Sequence, residues 1–196
     1  MERLILCFFA IIAVISCTFI RPKKPYSFAS CPFPNGTDTA MHIYNCDGDY
    51  AITTSGAQVF IGNTTQTMYP IDPRKPMTLA LTAYNKGVQI NDNKANVTIF
   101  EYQDDWATKQ CKWNSVPTFG LLNGIDGCDY AHNCPLTTGP LTLRLPLDLS
   151  GFSAIINLLA ANVPYQLHIE IFNYNSGSND GMIACVVAQV RFEETN

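Results

Sequence analysis

Hydrophobic and polar residues alternate along several short segments between residues 43 and 192. The clearest runs are KPMTLALTAY, NVTIF, PLTLRLPL and PYQLHIEI, separated by stretches rich in Pro, Gly and Asn. Successive side chains of a β-strand point to opposite faces, so each run has one apolar and one polar face. Such strands pair into antiparallel sheets, and two sheets packed face to face bury both apolar faces. The pattern predicts an all-β fold, an antiparallel β-sandwich.

The apolar faces supply the residues that we expect between the sheets. A further run near the carboxyl end adds one valine to this set: Leu79, Leu81, Val97, Ile99, Leu143, Leu167, Ile169, Ile171 and Val187. The pattern fits a filled sandwich core as well as the wall of a cavity. Trp113 and Phe119, which flank Ser-Val-Pro, are candidates for the mouth of such a cavity or for a cap on the core.

The segment DLSGFSAIINLLAANVP breaks the period of two. Phe152, Ile155, Ile156 and Leu159 follow at helical spacing, and Pro164 ends the stretch. This predicts a short apolar helix or loop between two strands. It either packs onto the end of the sandwich as ordinary core or forms a lid or membrane-touching rim at the mouth of a cavity.

The amino terminus reads MERLILCFFAIIAVISC, one basic residue followed by a short apolar run. This is typical of a secretory signal peptide, and the run is shorter than the ~20 apolar residues that a membrane span needs. We therefore divide the chain into a signal peptide over residues 1–17, an irregular, Pro-rich extension over 18–42 and one domain over 43–196. Sequons at Asn35, Asn63 and Asn96 predict a glycoprotein, secreted or in the lysosomal lumen.

Removal of the leader would leave an even set of six cysteines: Cys31, Cys46, Cys111, Cys128, Cys134 and Cys185. An even set in an oxidising compartment predicts disulfides. Within DGCDYAHNCP, zinc could take Cys128, His132 and Cys134, but three ligands at C-x₅-C spacing fit a structural zinc site poorly. Redox catalysis normally uses C-x-x-C. A small disulfide-closed loop is the better interpretation, with no metal and no cofactor.

Several of these segments together resemble the ML (lipid-recognition) family. DGC followed by NCPL, a glycine and a strand resembles the family's hallmark, and YNCDGDYAI resembles its first strand. YPIDPRKPMTLALTAY resembles the entry into the second strand, and YQLHIEIFNYNSGSNDGMIACVVAQVRF the last hairpin with its cysteine. The resemblance extends from about Ile43 to Phe192. The order and spacing of the motifs carry it, since no single motif is specific.

The resemblance implies an immunoglobulin-like sandwich whose sheets splay apart around a lipid cavity lined by the residues above. It also implies that Cys46 pairs with Cys185 and Cys128 with Cys134, which leaves Cys31 for Cys111. The first bridge would contribute roughly 5 kcal/mol in the chain-entropy model. Cysteine positions differ from those of the sterol-carrier and ganglioside-activator members, so the resemblance does not name the lipid. Expected partners are a sterol, phospholipid or glycolipid, a transient membrane surface, and a hydrolase or receptor.

Other classes of function find less support in the sequence. The formal charge of −4 and the absence of a basic stripe argue against nucleic-acid binding. A hydrolase would need a catalytic constellation, and the chain has no G-x-S-x-G or H-E-x-x-H and only His42, His132 and His168. We expect no enzyme activity. The remaining alternative is a secreted β-sandwich with a filled core that binds a receptor or other partner without a lipid.

Overall fold

The computed structural model describes residues 31–105 and 107–193. The predicted signal peptide, residues 1–17, lies outside the described residues. The same is true of Trp106, the single position omitted between the two ranges. The described residues form nine strands, and their bounds are β1 (His42–Asn45), β2 (Ile52–Ile61), β3 (Met77–Asn85), β4 (Asn93–Asp104), β5 (Cys111–Ser115), β6 (Ile125–Asp126), β7 (Gly139–Leu147), β8 (Pro164–Asn173) and β9 (Met182–Arg191). Helices are short: 3-10 turns at Pro34–Gly36 and Ser150–Phe152, α1 (Gly127–Tyr130) and α2 (Ser153–Ile156).

The strands form two antiparallel sheets. The larger has the order β1-β9-β8-β4-β5, with β6 also paired to β4, and the smaller has the order β2-β3-β7. Strand pairing places Val97 opposite Ile169 and Leu81 opposite Leu143, so the apolar positions of neighbouring strands share one face. The prediction of an all-β fold, an antiparallel β-sandwich, is confirmed.

The two sheets approach each other unevenly. Their closest backbone contacts are those of β2 with β1 and β9, along one edge of the sandwich. Within the described residues, β7 makes no comparable approach to β4, β5 or β6 on the opposite edge. The sandwich is therefore closed along one edge and splayed along the other.

The buried apolar residues fall into two separate clusters as a result. The larger contains Val59, Met77, Ile99, Tyr165 and Phe192, and lies where β3 begins and β7 ends. The smaller contains Ile52, Ile90, Leu136, Leu141 and Ile183 and lies at the other end of the same strands. Partly buried residues pack against both clusters from the inward faces of the strands, for example Leu79 against the larger and Leu143 against the smaller.

Three disulfides join Cys46 to Cys185, Cys128 to Cys134 and Cys31 to Cys111, the pairs that the resemblance implied. The last of these ties the extension to β5, and the Tyr69 hydroxyl donates a hydrogen bond to the carbonyl of Thr37. Residues 31–41 thus pack on the domain, and β1 follows them directly at His42. No helix in the described part of the chain is long and apolar enough to cross a membrane.

Candidate functional site

A cavity of about 370 Å³ lies between the sheets. Its size falls in the range of small-molecule sites, about 300–1,000 Å³. Inward residues in the middle of the sandwich, such as Leu81, Leu143 and Ile169, are only partly buried although they face the opposite sheet. They remain accessible because they border this space. None of the described residues that line it is Asp, Glu, Lys, Arg or His.

Most of the predicted inward residues line this cavity. They come from β3, β4, β7 and β8, and the set is Leu79, Leu81, Val97, Ile99, Leu143, Leu167, Ile169 and Ile171. These strands keep a period of two along their inward faces, the same period that the sequence shows. The wall is consequently a continuous aliphatic surface shared by both sheets.

Three predicted residues lie elsewhere, which corrects the sequence prediction. Val187 is on the outer face of β9, buried between its cross-strand partners Tyr44 and His168, while Val186 and Ala188 line the cavity. Trp113 packs against Tyr102, with ring centroids 4.8 Å apart, and is not among the lining residues. Phe119 is also outside the cavity wall and is 83% exposed.

Residues 148–163, here called the cover segment, link β7 of one sheet to β8 of the other. All four predicted residues of this segment, Phe152, Ile155, Ile156 and Leu159, line the cavity. Ile155, Ile156 and Leu159 are buried and Phe152 is partly buried, so these side chains close the cavity from within. They are not an exposed membrane rim, and the exposed large residue here is Leu158.

Two tyrosines hold the ends of the cover segment. The Tyr130 hydroxyl, at the end of α1, donates to the carbonyl of Asp148, and its ring meets that of Phe152 edge-on at 5.3 Å. At the other end, the hydroxyl of Tyr165 accepts a hydrogen bond of 2.7 Å from the backbone N–H of Ala160. Tyr130 also lines the cavity. Its bond to Asp148 connects the loop after β6, in the larger sheet, to the cover segment after β7, in the smaller sheet.

The disulfide-closed loop forms part of the same wall. Asp126 caps α1 by accepting 3.0 Å hydrogen bonds from the N–H groups of Cys128 and Asp129. Asn93, fully buried at the start of β4, donates to Asn133 at 2.9 Å and receives a bond from its Nδ2 at 3.2 Å. The paired amides satisfy each other's polar atoms, so they line an apolar cavity without unpaired groups.

One carboxyl group lies near the cover segment without lining the cavity. Glu101 is paired across the sheet with Tyr165 and accepts a 2.8 Å hydrogen bond from Gln103 Nε2. Burial raises the pKa of Glu101, partly offset by its hydrogen bond with Tyr165. Burial likewise raises the pKa of the Tyr165 phenol, which therefore stays protonated and donates to the carboxylate.

The cysteines that the sequence offered as zinc ligands are joined in a disulfide. The sulfurs of Cys128 and Cys134 are bonded to each other, and His132 is exposed. His168 is half-buried, with Nε2 at 3.1 and 3.2 Å from the sulfurs of the Cys46–Cys185 bridge.

Sequence reasoning missed several lining residues, for identifiable reasons. In β2 the residues that line the cavity change from Ile52 and Thr54 to Ala57 and Val59, because a bulge between Thr54 and Gly56 shifts the alternation by one. In β9 both faces are largely apolar, so there is no apolar–polar alternation to identify the inward face. Asn93, Tyr130 and Asn133 come from loops and strand ends, where no periodicity applies.

Comparisons with known proteins give structural similarities only. No family model and no curated protein matches the sequence. The crystal structure of a Niemann-Pick type C2 protein from the Japanese carpenter ant is similar over 78% of this chain and 99% of its own, with a TM-score of 0.44 and 13% identity. The crystal structure of the C-terminal domain of wzt covers 80% of this chain and 78% of its own, with a TM-score of 0.36 and 9% identity.

Proposed function

We propose that this protein binds a lipid between its two sheets and carries it, without catalysing a reaction. The observation that carries the proposal is the cavity of about 370 Å³, lined almost entirely by aliphatic side chains and bordered by no charged residue among those described. An apolar cavity of this size favours an apolar occupant, since water gains few hydrogen bonds there.

The energetics fit an aliphatic ligand. Burying one methylene contributes about 0.8 kcal/mol, so a dozen buried methylenes supply roughly 10 kcal/mol before the entropic cost of association. A lipid tail therefore needs no charged clamp inside the cavity. Asn93, Asn133, Tyr130 and Thr54 are the polar residues of the wall, and their hydrogen bonds restrict where the polar end of a ligand could lie.

The biological setting of this lipid carrier is part of the proposal. Three disulfides and three sequons favour a secreted protein or one of the lysosomal lumen, where it would move lipid between membranes or present it to a hydrolase or receptor. Asn63 lies on an exposed turn after β2 and Asn35 is also exposed. Asn35 Nδ2 donates to Gln189 at 2.6 Å, a bond that a glycan on this nitrogen would alter.

Native mass spectrometry of the glycoprotein secreted from eukaryotic cells, combined with organic extraction, tests the proposal. We expect a stoichiometric co-purified lipid whose mass identifies its class. An empty protein that also fails to take up sterol, phospholipid and ganglioside in solution would contradict lipid carriage. That result would favour the alternative, a partner-binding β-sandwich without a lipid ligand.

A further inference from the structure

Two large apolar side chains are exposed on one turn beside the cavity. Phe119 is 83% exposed and Leu121 is 54% exposed, although the turn is closed by a 3.0 Å hydrogen bond from Leu121 N–H to the Thr118 carbonyl. Phe119 has a φ of 52°, an uncommon conformation for a bulky residue. The turn exposes an aromatic ring to water and holds its backbone in an unfavourable conformation, so neither feature stabilises the fold. This suggests that Phe119 serves to bind a partner.

The turn is attached directly to the cavity wall. On one side, Val116 N–H donates to the carbonyl of Ile99 at 2.8 Å. On the other, Val97 N–H donates to the carbonyl of Leu122 at 2.9 Å. Val97, Ile99 and Leu122 all line the cavity. Residues 117–121 thus project outward from a strand whose inward side chains would contact the bound lipid.

A second exposed residue extends this surface. Leu158, 49% exposed, lies in the cover segment between the buried Ile155 and Leu159, and these two belong to the same packed cluster as Leu122. Charged residues are absent from both stretches of sequence, since no Asp, Glu, Lys or Arg occurs in residues 113–125 or 149–167. The three exposed apolar side chains therefore lie on two stretches that carry no charged residue of their own.

We propose that Phe119, Leu121 and Leu158 form a membrane-contact surface whose partner is a phospholipid bilayer with zwitterionic headgroups. This inference rests on the proposed lipid-carrier function. Exposed aromatic and aliphatic residues enter the boundary between headgroups and acyl chains, about 5–10 Å deep. Binding to anionic lipid normally relies on clusters of Lys and Arg, which these two stretches lack. Contact here would place the cavity wall next to the bilayer from which a lipid is taken.

Tryptophan fluorescence of the full-length secreted protein tests this surface. F119W is compared with V88W, because Val88 is 67% exposed and lies in the loop next to Ile90, in the cluster at the other end of the sandwich. The probe is a vesicle of phosphatidylcholine with brominated acyl chains. We expect a blue shift and quenching for F119W relative to the wild-type background, and neither for V88W. Added phosphatidylserine should leave the result unchanged.

The double substitution F119S/L121S gives an independent measurement. We expect at least a tenfold loss of binding to phosphatidylcholine vesicles, with V88S as the matched control. Three results would overturn the membrane assignment. They are equal blue shifts and quenching in F119W and V88W, binding to anionic vesicles alone, and a blue shift of F119W that appears only when another protein is added. If the native protein carries lipid and F119W is not quenched, only this inference fails; quenching without any bound lipid would instead reject the carrier function.

Discussion

The hydroxyl of Tyr165 accepts a 2.7 Å hydrogen bond from the backbone N–H of Ala160, joining the start of β8 to the cover segment. Tyr165 is fully buried, so this bond has no competition from water. Y165F keeps the ring and leaves the Ala160 N–H without its partner. We expect a loss of about 1–3 kcal/mol in the free energy of unfolding, measured by chemical denaturation.

Hydrogen exchange separates this effect from general destabilisation. Relative to wild type, Y165F should increase the exchange rate of the Ala160 amide more than the exchange rates of amides in the central strands. Y84F is the matched control, because Tyr84 is 52% exposed, and its stability should change by less than about 0.5 kcal/mol. Equal stability of Y165F and wild type would contradict a role for the hydroxyl in holding the cover segment.

Glu101, beside Tyr165, should make stability depend on pH. Burial raises the pKa of its carboxyl in the folded state above the value of about 4.3 expected when unfolded. The folded state therefore favours the protonated form, a contribution that is complete below pH ~4.3 and is lost as the pH rises through the folded-state pKa. E101Q, which mimics the protonated form, should melt higher than wild type at pH 7. The difference should disappear near pH 4, and a constant difference would refute this linkage.

Filling the cavity should remove the ligand without unfolding the protein. Leu143 lines the cavity and is partly buried, whereas the adjacent Thr142 is exposed on the outer face of β7. We expect L143W to reduce the fraction of protein that carries co-purified lipid at least tenfold, because the indole would occupy the lipid's volume. T142W should retain lipid. Native mass spectrometry measures both, and equal occupancy in the two variants would argue that the lipid binds elsewhere.

Gly127 should tolerate no side chain. A Cβ at this position would lie 2.1 Å from Asn93 Oδ1 and 2.9 Å from Asn133 Nδ2, inside the paired amides of the cavity wall. G127A should lower the free energy of unfolding by about 1–3 kcal/mol through overpacking. Gly151 is the control, because a Cβ there would meet no atom within 4 Å, and G151A should be neutral or slightly stabilising. Similar urea midpoints for the two variants would contradict the steric argument.

Asp72 should stabilise the turn before β3 over a defined pH range. Its carboxylate accepts from Arg74 Nε at 2.8 Å and lies 3.0 Å from Lys75 Nζ, and the Arg74 hydrogen bond holds the pKa of Asp72 well below its usual range. Because this pKa is depressed, the stabilisation is complete above the unfolded-state value of about 3.9 and is lost as the pH falls through the folded-state pKa.

D72N should therefore lower the free energy of unfolding by about 1.5–3 kcal/mol between pH 5 and 7, and the difference should shrink below pH 4. Thermal melts across this range measure it. Asp49 provides the control, since its side chain is 92% exposed in its ion pair with Lys86, and D49N should have little effect. A deficit in D72N that persists unchanged at pH 3 would indicate a cause other than the carboxylate charge.

The alternation of apolar and polar residues was enough to predict the main strands and most of their inward faces. Alternation depends only on the local period of two, so Leu81, Val97, Leu143 and Ile169 could be assigned one by one. The same reasoning placed an apolar helical segment between β7 and β8. The alternation did not identify the inward residue at Val186 and Val187, because two adjacent valines are equally hydrophobic.

Whether these faces meet or enclose a space could not be predicted from the alternation and is seen in the folded chain. That outcome depends on the distance between the sheets, which is set by contacts remote in sequence: β2 against β1 and β9, Cys46 bonded to Cys185, and Tyr130 holding the cover segment. The period of two specifies which way each side chain points, but it does not specify the distance between the two sheets. The same alternation would be found in a filled core, and the inward faces line a cavity here because the sheets are splayed along one edge.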